Sequence, residues 1–486
     1  MIKYLLSVLF IMGFVPKISS QSFDEYYQQK RKEFEDYKNK SEEEYKFFVD
    51  ERDKEFSEHL KKNWESFQMM QGKVLIAKPK PENMPVYIDS LEREYKIREY
   101  KIISEDNELI GPSVRKIIPK ESMSFYKKKV TNISFFGENL EIEHEDVQDL
   151  SSPETYNNKT IGEFWDKLNK IDFSNCIPEL INCKESFNLN DWGYFLLIKE
   201  FCCKISPHRE TYKIFTWYLM LKSGYNVKIG YALNQMMLLI PFNTSVYGIP
   251  YYEINHENYY VFEAKNPGVI KTYGQIYPIA FKTIDPAMYE VPEFNGYYQK
   301  MVNFSYQGKE NPFMIDINDE LKDYYNAFPQ MKLETYFNSQ MSQKTKESLF
   351  SYIREMIKNK NVEEAVHFLL YFTQNVFEYK TDNEQFGKEK IFFPDEVFYY
   401  KYSDCEDRAV FFAYLVRELC KLKVIGLDYA DHIAVAVNFS GEVKGDYVIY
   451  KNNKYIVCDP TYINAPIGRI LPKHIDSKAT IIEIND

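Results

Sequence analysis

Beyond its first twenty residues the sequence has no apolar run of 18 residues, so no internal membrane span is expected. It has no CxxC pair and its seven histidines are scattered, so neither a structural zinc site nor any other metal centre is expected. No Lys/Arg-rich stripe interleaves the aromatics, which argues against nucleic acid as a partner. No motif calls for a cofactor. Residues 22–68 hold neither Gly nor Pro. What the chain does not lack is aromatics, with 41 Tyr and 36 Phe, and a disordered chain would be poor in them. The 486 residues suggest about three domains. A net charge of −11 is a weak guide to partners in a chain of this length.

Residues 1–20 read as a secretory signal peptide. Lys3 opens a short basic region, Leu5 to Val15 is nearly all apolar, and Ser19 and Ser20 are small. No cysteine lies near the cleavage site, so a lipid anchor is not expected. The mature protein is expected to be secreted or periplasmic, in a compartment that permits disulfides. Its seven cysteines, Cys176, Cys183, Cys202, Cys203, Cys405, Cys420 and Cys458, are odd in number, so at least one thiol stays free or pairs between chains. Cys176 and Cys183 could close a small loop.

Residues 21–71 are expected to form one long helix. Phe23, Phe34, Tyr45, Phe56 and Phe67 recur every eleven residues, and Tyr26, Tyr37, Phe48 and His59 form a second row. Eleven residues make three helical turns, so the rows form a nearly straight aromatic stripe. The stripe can pack on the protein's own body, or it can dock a protein partner or a second copy. Pro79, Pro81 and Pro85 open a linker, expected to be β-rich, over 72–129.

The remainder reads as two related halves. Asn132–Gly137 matches Asn303–Gly308 in β-rich surroundings. Tyr194–Leu197 matches His367–Leu370, and Glu210–Leu219 matches Glu406–Leu415, all in helical patterns. Asn258–Glu263 matches Lys454–Asp459 in strand-like ones. Four matches in one order point to a duplication. The second copy carries about two dozen extra residues, around Asp382 to Ser403.

The chemistry sits in the second copy. Ala409, Phe412, Ala413, Val416, Leu419 and Cys420 follow the stripe of a buried helix face, which places Cys405 at the helix N-terminus. The positive end of a helix favours a thiolate there. His432 opens a short apolar strand 27 residues on, and Asp459 closes another after a further 27. A cysteine nucleophile needs a base, a group that orients the base, and N–H donors for the oxyanion. Cys405 is the nucleophile, His432 the base and Asp459 the group that orients it. The Cys405 backbone N–H is one oxyanion donor, and Tyr399, Tyr400 and Tyr402 are candidates for the second. Cys420 and Cys458 read as structural, and Glu406 and Asp407 as first-turn acids suited to the helix dipole.

In Asp404–Asp407 and Val457–Thr461 the sequence resembles the transglutaminase-like cysteine enzymes, specifically the bacterial transglutaminase-like cysteine peptidases. It departs from them at Ser403, where a Gly is common, and at Ile433 and Ala434, where a Trp often follows the histidine. The resemblance, strong over 360–465, implies an α+β fold of two papain/transglutaminase-like units. In each, a helix packs on an antiparallel sheet, and the long N-terminal helix precedes both. It further implies acyl transfer at a peptide or glutamine carboxamide, by proteolysis, by amidase chemistry or by cross-linking. On this reading 130–267 is a degenerate unit, 268–300 a connector, 301–475 the catalytic unit and 476–486 a tail. Cys405, His432 and Asp459 correspond there to Arg209, Gln235 and Glu263, which cannot perform the chemistry. The other reading is a non-catalytic binding or scaffold protein.

Overall fold

The computed structural model describes residues 23–75, 77–78, 128–147, 150, 153, 155–173, 175–206, 210–232, 235–264 and 267–485. The expected signal peptide, Arg209 and most of the expected linker lie outside them. By contacts the chain divides after His59.

The N-terminal element is one helix, α1 (Phe23–Lys62). Its surface carries close Lys/Arg–Glu pairs, Lys30–Glu33, Arg31–Glu35 and Arg52–Glu55, which add modestly to an exposed helix. Phe34, Tyr37, Tyr45 and Phe48 are exposed along it. The helix is shorter than the aromatic rows suggest. Trp64 Nε1 bonds back to the Leu60 carbonyl, and the chain then enters a strand, β1 (Glu65–Phe67), which pairs with Ile270–Thr272.

The larger unit begins with an antiparallel hairpin, β2 (Lys128–Phe135) and β3 (Glu138–Glu145). After helices at Asn158–Leu168 and Cys176–Ser186 comes helix α2 (Asp191–Ile205), started by Asn190, whose side chain accepts the Gly193 N–H. Helix α3 (Thr211–Lys222) is buried along nearly its whole length. It feeds strands β4 (Lys228–Ala232), β5 (Gln235–Pro241), β6 (Tyr251–Ile254), β7 (Glu257–Phe262) and β8 (Ile270–Thr272). The sheet order is β1-β8-β4-β5-β7-β6.

The second half repeats the main run of hairpin, two helices and sheet, with three further helices after the hairpin. A hairpin, β9 (Tyr297–Val302) and β10 (Phe313–Asn318), precedes helix α4 (Val362–Val376). Asn361 and Glu364 cap α4 reciprocally. Then come β11 (Glu378–Tyr379), the inserted segment, β12 (Tyr402–Ser403) and helix α5 (Cys405–Leu415). Strands β11 and β12 pair in parallel and so close the insert at its base. Helix α5 continues as one π-helical turn, Val416–Cys420, into β13 (Lys423–Tyr429), β14 (His432–Asn438), β15 (Tyr447–Tyr450), β16 (Asn453–Cys458) and β17 (Thr480–Ile482). The order is β15-β16-β14-β13-β17, so β4, β5, β6, β7 and β8 of the first sheet match β13, β14, β15, β16 and β17 in sequence and in neighbours. Strand β17 lies in the segment expected to be a tail; it pairs with β13 and edges the sheet.

Both helix-on-sheet layers are apolar for the same reason. The Val, Ile and Ala of β14 lie at the centre of their sheet, where β-branched side chains fill both faces. Where β15 begins, a Cβ on Gly445 would stand 2.2 Å from the Gly468 Cα, so the two chain segments meet only as glycines. The fold is mixed α and β, with the two sheets antiparallel.

Candidate active site

Cys405 is the first residue of α5, and it is buried, with 2% of its surface exposed. Its Sγ donates to Glu406 Oε2 at 2.9 Å, and the Ile433 backbone N–H faces the sulfur. The neighbour of His432 in β14 is thereby placed at the thiol. The expected thiolate is not favoured in this setting. Burial first, then the carboxyls of Glu406 and Asp404, push the Cys405 thiol well above its ordinary range. The helix dipole is outweighed because the charge would be desolvated beside two acids.

His432 is the first residue of β14 and pairs across the turn with Tyr429. Its Nε2 lies 2.8 Å from Asp459 Oδ2, and each side chain is 1% exposed. The carboxylate is held from behind: Asp459 Oδ1 accepts the N–H groups of Thr461 and Tyr462, both at 3.0 Å. Gln374 of α4 bonds the carbonyls of Asp459, Tyr462 and Ala465 through one amide nitrogen. With Nε2 engaged by a carboxylate, Nδ1 is the ring nitrogen left to take a proton.

Glu406 and Asp407 do more than complement the helix dipole. Glu406 holds the thiol. Asp407 accepts the N–H of Phe392 through Oδ1 and that of Asp404 through Oδ2, which ties the insert to the start of α5. Asp382, Asp404 and Asp407 each offer an oxygen within 4.8 Å of the others. Oxygen donors of this kind suit a hard divalent cation. Asp382 Oδ2 and both Asp407 oxygens already accept backbone N–H bonds. Burial, and then Asp404, raise the Asp382 carboxyl to about 9. The buried cation nearest in sequence, Arg408, is spread over Ser403 Oγ and the carbonyls of Gln374 and Phe377.

Of the tyrosines considered as oxyanion donors, Tyr399 accepts the Asn318 N–H, Tyr400 donates to Asn326 and stacks on Phe392, and Tyr402 lies in β12. Tyr379, at the other end of the insert's base, has its hydroxyl pushed up by burial and then by Cys405, with the Arg408 guanidinium 5.5 Å over its ring. Sequence reading missed Tyr379, Gln374 and His474. The last stacks on His432 with ring centroids 5.4 Å apart. Tyr379 carried one signal, its place directly before the insert.

All seven cysteines are free thiols. Cys176 and Cys183 do not close a loop: both lie on the helix Cys176–Ser186, seven residues apart. At about 1.5 Å rise per residue that is roughly 10 Å, beyond the reach of a disulfide. Cys420 is half-buried, and burial raises its thiol to about 11.

In the first half, Gln235 opens β5 and Glu263 directly follows β7, the positions that His432 and Asp459 hold in the second. Glu263 bonds the Tyr212 hydroxyl and pairs with Lys199. Lys213 is buried there and donates to Glu210 and to the carbonyls of Met236 and Glu263. A lysine-centred network thus occupies that corner.

No family model, curated protein or solved structure matches the chain. No helix among the described residues is long and apolar enough to cross a membrane.

Proposed function

We propose that the protein is an exported cysteine acyl-transfer enzyme of the transglutaminase-like kind. Its second half is the catalytic unit, and the first is a degenerate copy of the same papain-like arrangement. The observation that carries this reading is the buried His432–Asp459 bond on a strand whose next residue, Ile433, turns its N–H to the sulfur of Cys405, a cysteine that opens a helix. In the first step the Cys405 thiol turns from Glu406 to His432 Nδ1 and gives up its proton. As that proton leaves, the sulfur attacks a peptide or glutamine carboxamide carbonyl. The Cys405 N–H at the helix start faces the developing oxyanion. The imidazolium returns the proton to the leaving amine, and a thioester remains on Sγ. Water or a second amine attacks the thioester with His432 as base, which releases the acyl group and restores the thiol. Asp459 keeps the imidazole oriented and stabilises its cationic form.

Burial of the thiol supports proton transfer concerted with attack, rather than a standing thiolate–imidazolium pair. The proposed compartment is the periplasm or the exterior. Trapping an acyl-enzyme from a peptide library, with the adduct mapped to Cys405, tests the reading.

A second reading, a non-catalytic scaffold, is favoured by one observation: the exposed Phe34, Tyr37, Tyr45 and Phe48 on α1. It predicts that a cellular phenotype survives His432→Ala but not removal of residues 22–68.

A further inference from the structure

We propose that His474 is a positioning residue for His432: its ring lies parallel to that imidazole and fixes the plane in which Nε2 meets Asp459 and Nδ1 is presented to take the thiol proton. The consequence for catalysis rests on the acyl-transfer reading, whereas the stack itself does not.

Three rings from separate elements lie side by side in near-parallel planes. His432 opens β14, and His474 ends the 3-10 turn Pro472–His474, 42 residues later. Their planes are 5° apart with centroids at 5.4 Å. Tyr429, the last residue of β13, lies against His474 at 4.5 Å and 24°. The His474 side chain is 4% exposed, and its Nε2 lies 3.3 Å from Asp431 Oδ1. Lys473 holds the other Asp431 oxygen at 2.7 Å, and the His474 N–H bonds the Leu471 carbonyl at 2.8 Å. The backbone, the turn and the facing rings therefore set this imidazole in one orientation.

A neutral imidazole does something an aliphatic chain cannot. It presents a π-face to the cation that forms on His432 when the thiol proton arrives. A charged His474 would repel that cation. The groups that face His474 are His432, Tyr429, Asp431, Lys473 and Asp459. Burial first, then the charge on His432, lower its pKa to about 4, so it is neutral at neutral pH.

The test compares wild type, His474→Leu and His474→Phe by two readouts. One is solvent exchange of the His432 Nε2–H proton, followed by NMR. The other is the alkylation rate of Cys405 at pH 7, followed by mass spectrometry, with His432→Ala as control. His474→Leu is expected to speed the exchange and slow the alkylation, each roughly two- to tenfold, and His474→Phe to restore both to wild-type values. If His474→Leu does not fold, His474→Gln takes its place as the ringless variant. A folded ringless variant with wild-type exchange and wild-type alkylation overturns the proposal. If exchange responds as expected while His432→Ala alkylates Cys405 as fast as wild type, the stack stands and the acyl-transfer reading falls.

Discussion

Glu406 Oε2 accepts the hydrogen bond of the Cys405 thiol at 2.9 Å, so the acid beside the nucleophile, rather than the histidine, holds its proton in the resting structure. The carboxyl is therefore a brake on the thiol. Burial and Asp404 raise the Glu406 carboxyl too, so Glu406→Gln removes an acidic acceptor of the thiol proton that contributes to the raised Cys405 pKa. The thiolate fraction at pH 8 should rise roughly tenfold per unit of pKa restored. The alkylation rate of Cys405 measured against pH checks this: its midpoint should move to lower pH in the variant.

Labelling order follows from burial. Cys203 is the exposed thiol, and Cys405 is buried with a raised pKa. Limited iodoacetamide treatment of the native protein is expected to modify Cys203 first and Cys405 later. Peptide mapping after a time course checks the order, and early modification of Cys405 would show an open site.

Asp459→Asn should preserve the fold, because the remaining amide oxygen can still accept the Thr461 and Tyr462 N–H bonds. Turnover should fall roughly 10²–10⁴-fold, the range associated with a misdirected acid–base group. Glu263→Gln, at the matching position of the first half, should leave turnover unchanged. Parallel assays of the two variants decide which half carries the chemistry.

Two buried groups contribute slopes of opposite sign to the stability profile. Asp382 titrates at about 9 in the fold, above its unfolded value, so its contribution is fully present in acid and is lost as pH rises towards 9. His474 titrates at about 4, below its unfolded value, so its contribution is present above about 6.5 and is lost as pH falls towards 4. Urea denaturation across pH 4–9 should show Asp382→Asn flattening the alkaline slope and His474→Phe flattening the acid one.

Much of this was legible in the sequence because it rests on periodicity and punctuation. The apolar stripe from Ala409 to Cys420 announces a buried helix, and its start places Cys405. The apolar run that His432 opens and the strand-like segment that Asp459 closes mark two strand ends. The internal matches anticipate two sheets of the same strand order, which the topology has. What was not legible depends on which groups meet in space. Glu406 reads as a dipole acid until burial turns it onto the sulfur. His474 lies in a Pro-led turn with no period to betray it, and it reaches His432 only because the chain returns past β13. Tyr379 gains its place from a two-residue parallel pairing too short to carry a pattern.

The most direct test of the central claim is intact-mass analysis of the full-length mature protein after incubation with a peptide library and an acid quench. The account predicts an acyl adduct that maps to Cys405 in wild type, builds up less in His432→Ala and is absent in Cys405→Ser. An adduct on Cys203 instead, or none on any cysteine while a substrate is turned over, would contradict it.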